Sequence, residues 1–135
     1  MTMHASGLFD VKLAAQASED ATGGAAIGRL AIDKRYHGDL DAASKGQMLA
    51  HRTVVDGSAG YVAMEIVTGT LQDRSGTFIL QHSGTMTRGV AQLTLTVVPD
   101  SGTEQLTGLA GTMAIIIANG KHSYAFDYTL DGAAQ

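Results

Sequence analysis

The side chains in this chain that could carry chemistry are few: the carboxylate of Glu65, the imidazoles of His82 and His122, the phenols of Tyr61, Tyr124 and Tyr128, and the ammonium of Lys34. Gathered in an apolar chamber, a carboxylate, imidazoles and phenols supply what a proton-transfer or ligand-orienting site needs, because burial moves their pKa values toward neutrality. Glu65 with His82 is the candidate catalytic pair, and Lys34, Tyr61, His122, Tyr124 and Tyr128 are candidates for contacting a bound ligand. The same residues are also the parts of a satisfied internal network. Buried polar groups need partners in any fold, and Glu65 with His82 or with Lys34 would pair well without doing anything else.

Other chemistries fit less well. Glu65, His82 and His122 could ligate a divalent ion if they converged, but nothing resembles a His-Glu-x-x-His spacing, so neither a metal nor a cofactor is expected. Ser83 and Ser123 each follow a histidine. Neighbours on a strand point to opposite faces, so neither pair can form a nucleophilic dyad. There is no Gly-x-Ser-x-Gly elbow, Walker loop or dinucleotide fingerprint.

The elements that must position these residues are strands. Apolar and polar residues alternate with period two, broken by turn residues, near 6–16, 27–38, 44–54, 60–70, 76–87, 90–98, 106–118 and 121–130, the spacing of a sandwich or barrel. Ala14 to Ala26 is the one candidate for a short helix or a disordered loop. Asn119-Gly120 tolerates positive φ at both central positions of a type I′ turn, which sets Ile117 across from His122, Ile115 from Tyr124 and Met113 from Phe126. His122, Tyr124, Phe126, Tyr128 and Leu130 then share the inner face. By the same alternation Phe78, Leu80, His82, Gly84 and Met86 face inward, as do Leu93, Leu95 and Val97, and Phe9, Val11 and Leu13. Lys34 shares its face with Leu30, Ile32 and Tyr36.

Two points stay open on alternation alone. A type I turn with a glycine bulge over Asp73-Arg-Ser-Gly76 would put Val62, Met64 and Ile66 beside His82 and turn Glu65 outward. A plain four-residue loop over Gln72 to Ser75 would put Glu65 directly opposite His82, inside. Ala114 and Ile116 are apolar on the face that should be outside, which suggests contact with a second copy and hence a homo-oligomer. His4, His37 and His51 read as surface residues. The run Ser101-Gly-Thr-Glu-Gln105 reads as a loop at the rim of the barrel mouth.

Composition sets the outer bounds. The 135 residues suffice for one domain spanning 1–135 without staples. Charged residues make up 16% of the chain, below the usual value of about 25%. Its 17 glycines are a share that suits many tight turns. A net charge of −4 with Lys and Arg scattered singly leaves no footprint for nucleic acid. Cysteine is absent, which excludes disulfides and thiolate chemistry. The first residues form no secretory leader and no run approaches membrane-spanning length, so a cytoplasmic protein without a membrane partner is expected.

The stretches Ile32-Asp-Lys-Arg-Tyr-His-Gly-Asp-Leu40, Gly60-Tyr-Val-Ala-Met-Glu65, Phe78-Ile-Leu-Gln-His-Ser-Gly-Thr-Met86, Val98-Pro-Asp-Ser-Gly-Thr103 and Gly120-Lys-His-Ser-Tyr124 resemble a bacterial family known only as a domain of unknown function. The resemblance covers nearly the whole chain. It implies a fold like allene oxide cyclase: a short, closed antiparallel β-barrel of about eight strands, a calycin-type relative of the lipocalin barrels. It brings no activity. In that family the position matching Ile66 often carries a charge and the one matching Glu65 stays acidic, which implies that Glu65, with Tyr61 and Val67, faces the lumen.

A barrel of this strand number is filled by side chains or holds one small ligand. The expected function is binding of a small, largely apolar molecule in the lumen. A lumen isomerase or cyclase-like enzyme using Glu65 and His82 is the first alternative, and a purely structural oligomer the second.

Overall fold

The computed structural model describes residues 2–16, 21–22 and 25–130. Eight strands form an antiparallel meander: β1 (Met3–Gln16), β2 (Gly28–Tyr36), β3 (Leu40–Arg52), β4 (Ala59–Leu71), β5 (Arg74–Thr87), β6 (Val90–Val97), β7 (Leu109–Ala118) and β8 (Lys121–Leu130). Each pairs with its neighbours in sequence, and β8 returns to β1, closing the barrel. Ala21–Thr22 and Ala25–Ala26 form a separate two-stranded ribbon. No α-helix occurs among the described residues, and no helix is long and apolar enough to cross a membrane.

Register follows the alternation of the sequence. The β7–β8 hairpin turns at Asn119 and Gly120, with φ of 54° and 74°, and sets Ile115 against Tyr124 and Met113 against Phe126. Ala14 to Gln16, which also fitted a short helix, are instead extended and pair with Arg29 to Ala31; residues 17–20 and 23–24 lie outside the described residues.

The β4–β5 turn corrects both expected registers. It is a two-residue turn at Gln72 and Asp73, with φ of 45° and 73°, and Leu71 pairs directly with Arg74. Its left-handed residues are braced: the Gln72 N–H donates to Asp39 O at 2.9 Å, and the Tyr128 hydroxyl donates to Gln72 Oε1. Compared with a four-residue loop, the pairing slides by two residues, which keeps every side chain on its face. Glu65 therefore points inward but lies opposite Leu80, while His82 lies opposite Ala63.

The two ends of the barrel differ. At one end Leu40, Leu71, Phe78, Val97, Leu109, Phe126 and Tyr128 are buried and pack as a continuous core. The 98–108 connection seals that end and does not line an open mouth, because the Thr103 N–H donates to Thr77 O at 2.9 Å and Leu106 of the Glu104–Leu106 turn is buried in the core. At the other end the inner face is not filled. Leu13, Met86, Leu93 and Ile117 share the inward alternation of Phe9, His82, Leu95 and Met113, yet they are 50%, 42%, 42% and 68% exposed. The β6–β7 ladder there narrows to two pairs, Leu95 with Met113 and Thr96 with Thr112, so the wall parts toward the open end.

Candidate functional site

Glu65 sits between the sealed core and the open mouth, fully buried. Its side chain fits because the residue opposite it, also facing inward, is Gly46. A Cβ at position 46 would stand 2.1 Å from Met64 O and 2.9 Å from Glu65 Cβ. A glycine in the middle of a strand marks such close approach. Four donors converge on the carboxylate. Lys34 Nζ reaches Oε1 at 3.0 Å, the Tyr36 hydroxyl reaches Oε1 at 3.0 Å and Oε2 at 3.1 Å, and His82 Nε2 reaches Oε1 at 2.7 Å. The Ser44 hydroxyl donates to Oε2. Burial alone would raise the Glu65 pKa, but the His82 hydrogen bond, the Lys34 ammonium and the Ser44 hydroxyl outweigh it and hold the group down at about 2.

The lysine is held as firmly as the carboxylate. Lys34 is buried, its Nζ also lies 3.3 Å from the Tyr36 hydroxyl, and it stands 5.1 Å from the centre of the Phe9 ring. The aromatic face adds attraction for the cation. Burial, then the charge of Glu65, push the Tyr36 hydroxyl well above its ordinary pKa, so it stays a donor.

Toward the mouth the network continues to Tyr61, whose hydroxyl lies 3.4 Å from His82 Nδ1, with the two rings edge to face. The Tyr61 ring lies against Gly84, where a Cβ would come within 2.4 Å of Cε1. A glycine thus makes room for the phenol as another does for the carboxylate. Burial and the charge of Glu65 push the Tyr61 hydroxyl up to about 12. With Nε2 bound to the carboxylate, neutral His82 carries its proton there, and Nδ1 accepts from Tyr61.

Five of the seven residues singled out from the sequence therefore lie on the mouth side of the core. Glu65, His82, Lys34 and Tyr61 form one network, and His122 is half-buried with its ring 5.3 Å from that of Phe9. No group of three metal-ligating side chains occurs among the described residues, so Glu65, His82 and His122 do not assemble as a ligand set. Tyr124 and Tyr128 do face inward but serve turns of the sealed end. The Tyr124 hydroxyl donates to His37 O at 2.7 Å and accepts from the Leu40 N–H at 2.8 Å, and the Tyr128 hydroxyl binds Gln72. Sequence reasoning left Tyr36 and Ser44 out of the polar set, although the signal was present: Tyr36 shares the face of Lys34, and Ser44 continues that of Leu40 and Ala42.

The outer wall carries a second feature. A groove of about 600 Å³ over β2 to β5 is lined by Leu49, Val62 and Met64, with Arg29, Gln47, Gln81 and Ser83 around them. Val62, Met64 and the neighbouring Ile66 are exposed, as are Ala114 and Ile116 on β7.

Fold and site together define a meander barrel with a sealed core at one end and, at the other, an open apolar mouth above a buried polar floor. The chain belongs to the family described as protein of unknown function (DUF3224), whose model matches residues 5–128. The crystal structure of a member from Shewanella oneidensis MR-1, a protein with unknown function, superposes with a TM-score of 0.93 at 49% identity, covering 97% of this chain and 98% of that one. Among curated proteins no significant match was found.

Proposed function

We propose that this barrel binds a small, largely apolar molecule in the open half of its lumen, with the molecule's polar end directed at the floor formed by Tyr61, His82 and Lys34. One observation carries the reading: the inward-facing side chains Leu13, Met86, Leu93 and Ile117 remain exposed to solvent above a floor whose charged members are buried and paired. A barrel serving only as a scaffold gains by filling that space, since burying a Leu or Met side chain stabilises by about 1.5–3 kcal/mol. A concave apolar lining with a few converging polar groups is the usual form of a small-molecule site.

The reading is tested with the neutral fluorescent probe N-phenyl-1-naphthylamine. Saturable 1:1 binding is expected, weakened at least tenfold by Leu93→Trp, which fills the mouth, and unchanged by Met64→Lys on the outer groove. Absence of saturable binding, or its loss in Met64→Lys alone, overturns the proposal.

A catalytic reading uses the same floor and rests on the relay from the Tyr61 hydroxyl to His82 at 3.4 Å and from His82 to Glu65 at 2.7 Å. In it His82 exchanges the proton and Glu65 orients the imidazole, because donors already occupy both carboxylate oxygens and a group held at about 2 is a poor base near neutrality.

A further inference from the structure

We propose that the polar end of the ligand is uncharged: a hydroxyl, carbonyl or amide group on an otherwise apolar molecule. This rests on the lumen-binding reading above and names the chemical class the floor accepts.

With the imidazole of His82 neutral, the buried side chains that carry charge among the described residues are Lys34 and Glu65, and they neutralise each other at 3.0 Å. Among the described residues this leaves no counter-charge inside the barrel. A second N–H of the lysine donates to Tyr36, and the carboxylate accepts further hydrogen bonds from Tyr36, Ser44 and His82. A carboxylate or ammonium entering from the mouth would give up its hydration and meet an ion pair that is already satisfied. What the floor presents toward the mouth is dipolar: the Tyr61 hydroxyl and the half-buried His122 ring, each able to hydrogen-bond without carrying charge. Arg52 and Arg88 stand exposed at the open end, but there solvent and salt screen them, and they lie beyond the apolar lining. From Phe9 at the floor to Leu13 at the mouth, four residues at about 3.3 Å each, less the strand tilt, leave an apolar depth of roughly 10 Å. That length suits a medium-chain or single-ring molecule.

The experiment is displacement of N-phenyl-1-naphthylamine at pH 8 by 1-decanol, decanoate and decylamine, which share a tail and differ in the charge of the head. Decanol is expected to compete at least tenfold better than either ion, and the two ions to lie within about threefold of each other. Decanoate competing within threefold of decanol, or tenfold better than decylamine, overturns the inference while leaving the lumen-binding reading intact. No competition by any of the three against a bound probe overturns both. Because a tail's own hydrophobicity favours decanol, a second variant isolates the charge of the site. Glu65→Gln leaves the Lys34 ammonium at the floor without its anion and is expected to raise the affinity for decanoate relative to that for decanol at least tenfold. An unchanged decanoate-to-decanol ratio in the folded variant shows that the charge balance of the floor does not govern selection, and the inference falls.

Discussion

Replacing Glu65 by Gln is the perturbation whose size the structure fixes best. The amide keeps the volume and one acceptor, but turns an NH₂ toward groups that themselves donate and leaves the Lys34 ammonium buried without its anion. Removing one partner of a buried pair costs about 3–5 kcal/mol. A second figure comes from the depressed pKa of Glu65. The folded-state pKa of Glu65, about 2, lies below the ordinary 4.5. The network therefore contributes stability that is fully present above about pH 4.5 and is lost as pH falls toward 2. At about 1.4 kcal/mol per pKa unit this amounts to about 3 kcal/mol. The two figures agree. Urea unfolding followed by far-UV circular dichroism should show the variant less stable by about 3 kcal/mol at pH 7. The gap should close to under about 1 kcal/mol near pH 2, where about half of the wild-type Glu65 has taken up a proton. A variant within about 0.5 kcal/mol of wild type at pH 7, or a gap that ignores pH, refutes the reasoning.

Three further outcomes follow from the same contacts. Gly46→Ala should destabilise by about 1–3 kcal/mol in the same unfolding experiment, because its Cβ meets the backbone of Met64 and Glu65 with nowhere to move. Tyr61→Phe should cost under about 1 kcal/mol, since the hydroxyl makes one long hydrogen bond, yet should weaken decanol at least fivefold in probe displacement while the probe itself still binds. The exposed outer face of β4 is the wall best suited to a second copy: wild-type protein at tens of micromolar should sediment as a dimer and Met64→Lys as a monomer, and a monomeric wild type would remove that expectation.

How much of this was legible in the sequence depends on the range of the interaction involved. The last hairpin was readable because Asn119-Gly120 fixes a turn of known geometry and the apolar faces of β7 and β8 agree with it. The face of Glu65 was not, since two loop lengths at Gln72 to Gly76 gave opposite answers and only the family resemblance pointed inward. The actual turn uses two non-glycine residues at positive φ, held by Tyr128 and Asp39 from distant parts of the chain, and no local pattern announces such support. The inward glycines carried information that turn-based reasoning passed over. Gly46 and Gly84 lie within strands, opposite Glu65 and Tyr61, and make room for the side chains that form the floor. Alternation alone also could not tell a sealed end from an open one: Leu93 repeats the inward pattern of Leu95 but sits where the ladder between β6 and β7 has parted, and Leu13 repeats that of Phe9 but lies beyond the last β1–β8 pair, Phe9 with His122.

The central claim, an open lumen that takes its ligand against the polar floor, is tested most directly by titrating isotope-labelled protein with 1-decanol and following backbone and methyl resonances. Saturable shifts are expected at Leu13, Tyr61, His82, Leu93 and Ile117, with Leu49, Val62 and Met64 unmoved. Shifts centred on Leu49, Val62 and Met64, or none that saturate, would contradict it.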